Sequence, residues 1–224
     1  MNSPSTFGLY ETMRIVVPGF FFATMLSFLY WCGATPFFPP LMLSGLPLVA
    51  LFLVLVLVSG LTIYSKETTK KRKAFLENQP SLTIKTKARS MPDLPSIDEQ
   101  EARRLYFFIL NNHIPSPFHE KIFFFGTIYH IMTQVRRTSF WFAILSSLLL
   151  ALQLASGQLL SGLQGLIAFT ASVWAIYLLN VRYNKADRKM QENYQDQIFW
   201  LEMNDDLIET IIRRRFSKLP PPTP

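Results

Sequence analysis

Long runs without a single charged residue alternate along this chain with stretches in which charges recur every few positions. The runs come in pairs. "IVVPGFFFATMLSFLYWCGAT" (15–35) and "LMLSGLPLVALFLVLVLVSGLTIY" (41–64) are separated only by "PFFPP". "FWFAILSSLLLALQLA" (140–155) and "SGLQGLIAFTASVWAIYLLNV" (161–181) are separated only by "SGQLL". At ~1.5 Å rise per residue, each run is about long enough to cross a hydrocarbon layer ~30 Å thick. The pattern predicts two transmembrane hairpins, 15–64 and 139–181. The first run follows Arg14 and ends near small residues, as a secretory leader does. It is longer than a leader's core and a second span follows at once, so it is expected to remain as a helix.

Between the hairpins the pattern changes. Residues 65–95 mix Pro, Ser, Thr and Lys without a sustained period, which predicts a flexible linker with at most a short strand at Leu82–Ile84. From 96 to 138 helical spacing returns. Ser96 with Glu99 three residues on is a capping box ahead of Ile97, Ala102, Leu105, Phe108 and Ile109, and this helix should stop before Pro115. Ser116 as cap, with Pro117 at the first helical position, starts a second helix. No proline interrupts it before the third span, so it should run on unbroken, with Phe118, Ile122, Phe125 and Tyr129 on its packed face. After the fourth span, Tyr183, Ala186, Met190, Tyr194, Gln197 and Leu201 recur in steps of three and four. That spacing predicts a helical stalk over residues 182–224, ending in a proline-rich tail. The expected fold class is therefore an all-α integral membrane protein. Its four transmembrane helices form two hairpins, and the central loop and C-terminal tail form a small helical cytosolic domain. Residues 1–14, with Phe7, Leu9, Tyr10 and Met13, are expected as an interfacial segment.

Composition strengthens the membrane assignment. Half of the 224 residues are apolar, 20 are Phe and only 17% are charged, which is too apolar for an ordinary soluble domain of this size. Charge then supplies orientation. Of 22 Lys and Arg, one precedes the first span, 13 lie between Tyr64 and Ser139, and eight follow Val181, while neither hairpin turn has any. The positive-inside rule therefore places both termini and the central loop in the cytosol of a bacterial or archaeal cell, with the spans in its cytoplasmic membrane. Lys70, Lys71, Arg72 and Lys73 after span two, Arg136 and Arg137 before span three, and Arg182 after span four are expected to contact anionic lipid headgroups. No nucleic-acid motif accompanies them.

The candidate chemistry is thin. "LNNHIPSPFHEKIFFFGTIYH" (110–130) holds all three histidines and Glu120. His119 and His130 are eleven residues apart on one helix, ~16 Å at 1.5 Å per residue, so they cannot share an ion. His113 is in the turn. No HExxH, Walker loop, GxSxG elbow or Rossmann glycine pattern occurs, and Cys32 has no partner cysteine. An enzyme using His113 to Glu120 is the most distant expectation; no catalytic residue, cofactor or metal is assigned. The spans carry no ionisable side chain near mid-bilayer, which argues against ion-coupled transport.

Two features of the spans remain. Ser161, Gly165, Ala168, Ser172 and Ala175 form a small-residue stripe suited to close helix packing, within the bundle or between copies. Pro18 and Gly19 predict a kink and a candidate hinge. The layout is similar to several small prokaryotic membrane subunits, including some of phage-defence systems, but topology alone names no family. The function expected is a non-enzymatic multi-pass membrane subunit whose basic helical cytosolic region docks a protein partner or a second copy in a homo-oligomer. The alternative is an oligomeric channel or membrane-perturbing effector, with Gln153, Gln158, Gln164 and Thr170 as polar lining.

Overall fold

The computed structural model describes residues 4–34, 44–69, 79–94, 96–157 and 162–216. Among them there is no strand. The α-helices are α1 (Pro4–Leu29), α2 (Leu46–Thr69), α3 (Pro80–Arg89), α4 (Glu99–Asn112), α5 (Ser116–Ala155), α6 (Gln164–Tyr183), α7 (Ala186–Met203) and α8 (Asp205–Phe216), and α1 runs on into a π-helical turn, Tyr30–Ala34. Four stretches are long and apolar enough to cross a membrane: Gly8–Gly33, Leu46–Lys66, Ser116–Ala155 and Gln164–Met203. The chain divides into two compact units. One, the apolar unit, comprises residues 4–70 and 127–186; the other, the helical unit, is built from 71–126 and 187–224. As expected, α5 is one uninterrupted helix of 40 residues.

In the apolar unit, α1 and α2 run antiparallel at backbone contact. A Cβ built on Gly19 would fall 2.9 Å from Cα of Gly60, and one built on Gly60 would fall 3.1 Å from the Ile15 carbonyl carbon. Only glycine at both positions lets the two main chains come this close. The Ser59 hydroxyl donates across the contact to the Gly19 carbonyl, 3.3 Å away, and Phe20 meets Phe52 edge-on at 5.7 Å. Lower on the same pair, the Tyr64 hydroxyl donates to Glu11, which also pairs with Arg14 at 2.8 Å. A second cluster, of Leu29, Phe142, Ala143, Leu166, Phe169 and Val173, joins α1, α5 and α6. Two polar side chains of this unit pair between elements or across a turn. The Gln153 amide donates to the Gly33 carbonyl in the π turn, and the Trp174 indole donates to Ser147 Oγ at 3.0 Å. The π turn offsets the carbonyls of the last turn from their usual acceptor positions, so a side-chain donor there is physically apt. On its outer side α2 exposes Val49, Leu53, Val54, Leu57 and Val58 to more than half of their full area.

The helical unit has its own core. Ile84 and Ala88 of α3, Leu105, Tyr106, Ile109 and Leu110 of α4, Leu201 of α7, and Ile208, Ile212 and Phe216 of α8 form one buried cluster, against which Phe118, Ile122 and Phe123 of α5 pack. Local signals set its helix ends. Asp98 caps α4 by accepting from the Glu101 amide at 2.6 Å, and Glu99 and Glu101 lie in the first turn, where the helix dipole favours acids. In α8 both ends are matched to the dipole, with Asp205 and Asp206 first and Arg213, Arg214 and Arg215 last. The side chain of Asn184 accepts from the Ala186 amide at 2.8 Å, which ends α6 and opens α7.

Several expectations are corrected here. Leu82–Ile84 is helical, not a strand: Pro80 presets the first turn, and Ile84 and Ala88 fall four apart on the face that α4 buries. The cap of α4 is Asp98, not Ser96, because the helix begins at Glu99 and Asp98 stands three residues before the Glu101 amide it accepts from. Ser116 is already inside α5, whose first amide bonds run from Phe118 and His119 to the Pro115 carbonyl at 3.0 Å. The tail is two helices broken at Asn204, not one stalk. Residues 4–14 belong to the same helix as the first span rather than to a separate interfacial piece.

Candidate functional site

The histidines do not assemble. His113 ends α4, with its ring 5.7 Å from that of Phe108. One turn into α5, His119 lies 3.3 Å from Asn111 Oδ1 and packs at a tilt against Phe123, ring centres 4.6 Å apart, while Glu120 is exposed. His130 packs beside Tyr129. Among the described residues no group of three His, Cys, Asp or Glu side chains could hold a metal ion.

The other candidates fall as follows. Phe118 and Ile122 pack against the core of the helical unit, Leu201 and Tyr129 are buried, and Phe125, Met190 and Tyr194 are half-buried. Pro18 is fully buried and Gly19 sits in the contact with Gly60, so this pair is a packing point between α1 and α2. Gly165, Ala168, Ser172 and Ala175 are exposed, although a Cβ on Gly165 would touch Cys32 Sγ at 3.7 Å; the buried face of α6 is Leu166, Phe169, Thr170, Val173 and Asn180. Ser161 and Gln158 lie outside the described residues. Gln153 and Thr170 turn inward and bond to the Gly33 and Leu166 carbonyls, so in this arrangement neither lines an aqueous path. Lys70, Lys71, Arg72 and Lys73 also lie outside the described residues. Arg137 and Arg182 are exposed, with Arg182 over the Tyr183 ring at 5.8 Å, and Arg136 is half-buried.

Charge is distributed differently from the expectation of a basic helical domain. Residues 79–126 and 187–216 carry eleven Lys and Arg against twelve Asp and Glu. Residues 127–186 carry four cations, Arg136, Arg137, Arg182 and Lys185, and no acid. The overall +7 thus belongs to segments flanking the apolar runs and to 70–73, while the folded helical unit is close to neutral.

Two surface features of the helical unit stand out. A groove of about 670 Å³ lies between α3, α7 and α8. Its floor includes Leu201 and Ile208, its walls include Leu82 and Ile198, and its rim carries Glu202, Asp205, Glu209, Lys87 and Arg213. Lys87 bridges to Asp205 and is nearly covered at 15% exposure, whereas Asp205 is 62% exposed. The second feature is a ridge on the outer face of α4. Phe107 and Phe108 are exposed, and Arg103 holds its guanidinium 5.7 Å from the Phe107 ring centroid. Beneath the ridge the buried Tyr106 hydroxyl donates to Gln197 on α7, and burial, with a smaller effect of Tyr194, drives that phenol far above the ordinary tyrosine range.

No protein-family model, curated protein or solved structure matches this chain.

Neither surface feature was picked out from the sequence. For the ridge a signal exists: "LYFFIL" (105–110) is six apolar residues in a row, and a helix that buries one side must leave two of them outside. The groove has no linear signal, because its walls come from segments more than one hundred residues apart.

Proposed function

We propose that this chain is a four-span membrane protein that acts as a non-enzymatic docking subunit, with the helical unit in the cytosol as the docking body. The observation that carries the proposal is the 40-residue α5, whose first turns belong to the polar-surfaced helical unit and whose last turns are apolar. At ~1.5 Å per residue such a helix is about 60 Å long, twice a hydrocarbon core, so a large part of it stands outside the lipid. In this reading the apolar unit anchors the protein in a bacterial or archaeal cytoplasmic membrane. Arg136, Arg137, Arg182 and the 70–73 cluster lie against anionic headgroups, and both termini face the cytosol. The exposed aromatics Phe108, Phe124 and Phe199 are the contact points the helical unit offers to protein.

Deleting residues 184–224 is a poor test, since it would remove Leu201, Ile208, Ile212 and Phe216 from the core. A photo-cross-linking side chain at Phe108, Phe124 or Phe199 in the full chain, expressed in cells, is expected to yield protein adducts; the same probe at Leu152 is expected to yield lipid only. Absence of protein adducts from all three aromatic positions rejects docking. Labelling, from outside intact cells, of a cysteine placed in the 65–78 segment rejects the orientation.

A further inference from the structure

We propose that copies of this chain join head to tail, the Arg103–Arg104–Phe107–Phe108 ridge of one seated in the groove between α3, α7 and α8 of the next. This deepens the docking function proposed above and rests on it. Each feature is anomalous alone. Phe107 and Phe108 keep 43% and 50% of their area exposed and, unlike the exposed Phe124 and Phe199 of the same unit, they are adjacent in sequence and lie one turn from a pair of arginines. Arg104 is 69% exposed and its pairing with Glu101, at 3.6 Å, is loose. The ridge therefore offers two adjacent, half-exposed rings with two cations one turn away.

The groove offers the complement. Its apolar floor and its volume of about 670 Å³ suit a pair of ring side chains. On its rim the accessible charge is acidic on balance. Glu202 and the neighbouring Asp206 are exposed, Asp205 reaches solvent while its partner Lys87 does not, and Arg213 is held between Glu209 and Asp93. Rings enter the floor while arginines meet carboxylates at the rim, the arrangement of a desolvated anchor inside a polar ring. An anionic lipid surface would satisfy the ridge but would be repelled by this rim, and it would leave the groove unexplained. Because ridge and groove are different surfaces, the contact is heterologous, so repetition closes a ring or continues as an array. Confinement of both copies to one membrane raises their effective concentration, so a small contact suffices.

The test uses full-length protein in native membranes, in a Cys32→Ser background, with two differently tagged copies co-expressed. One carries Asn112→Cys, exposed one turn beyond Phe108, and the other Thr83→Cys on the groove wall. Mild oxidation is expected to give a disulfide-linked species bearing both tags. The double change Arg103→Glu with Arg104→Glu in the first copy, or Glu202→Arg with Asp206→Arg in the second, should lower that species by at least about tenfold. Charge reversal in both copies together should restore it. All four positions are exposed, and thermal midpoints of the single-copy variants are expected to match the parent. Cross-linking between two Asn112→Cys copies with none to Thr83→Cys would show a face-to-face dimer and overturn the proposal; so would charge reversal without effect. Where photo-cross-linking captures a different protein and the two-tag species is absent, docking stands and self-docking falls. If neither forms, both fall.

Discussion

Alanine at Gly19 or Gly60 should destabilise the protein although alanine favours helix. At an unobstructed helical position the change gains about 1 kcal/mol of propensity. Here the new methyl has no room. At Gly19 it would lie 2.9 Å from Cα and N of Gly60 and nearer still to the Val56 carbonyl oxygen; at Gly60 it would overlap the Ile15 carbonyl. The obstructing atoms are main chain, so no rotamer change relieves them and α1 must move away from α2. Forced overpacking of this kind costs about 3 kcal/mol at the upper end of its range. Separation also loses the Ser59 bond to the Gly19 carbonyl, worth about 0.6 kcal/mol by the average for membrane helices, and weakens the Phe20–Phe52 contact. Set against the propensity gain, the net loss is about 2–3 kcal/mol per substitution. Gly126 is the internal control, since a Cβ there meets nothing within 4 Å. Unfolding in mixed micelles, followed by tryptophan fluorescence against denaturing detergent, reads all three variants. Gly19→Ala and Gly60→Ala should shift the midpoint down while Gly126→Ala leaves it level or raises it. Equal behaviour of the three, or an unshifted Gly60→Ala, refutes the backbone contact.

Other outcomes follow from single bonds and burial. Gln153→Leu removes the donor to the Gly33 carbonyl in the π turn and should cost about 1 kcal/mol by the same unfolding assay. Tyr106→Phe should cost about 1–2 kcal/mol, read as faster proteolysis of the helical unit. The pH dependence has a defined sign: the folded phenol of Tyr106 titrates above its unfolded value, so its contribution is complete below about pH 10 and is lost as pH rises from there toward the folded value. Ultraviolet titration of Tyr106→Phe against the parent should show no phenol lost from the ordinary ionisation step, and a loss there would contradict the burial. Ile109→Ala, at a fully buried site, should lower stability by about 2–5 kcal/mol and expose 79–126 to protease first. Combined replacement of His113, His119 and Glu120 by Ala should leave both expression and protein cross-linking intact; loss of cross-linking without loss of expression would restore a chemical role to that cluster.

The helical class, the four apolar stretches and the unbroken α5 were legible in the sequence because each is a property of one contiguous segment. Charge-free length and the absence of proline act locally, and nothing distant can reverse them. The short elements were harder. Polar residues hide the helical spacing of α3, whose buried face consists of little beyond Ile84 and Ala88 and makes sense only against α4. The cap of α4 turned on whether Ser96 or Asp98 reaches an amide, a question of two residues that geometry decides.

The sequence by itself determined which segments avoid water, because transfer of apolar length out of water is additive along the chain. Tertiary structure alone decided which face of each helix meets which neighbour. It turned the small residues of α6 outward and made a notch of Gly19 and Gly60. It also pulled Gln153 onto a distant carbonyl and raised a groove from α3, α7 and α8. Those outcomes depend on distances between segments far apart in sequence, and a linear pattern carries periodicity but no distance.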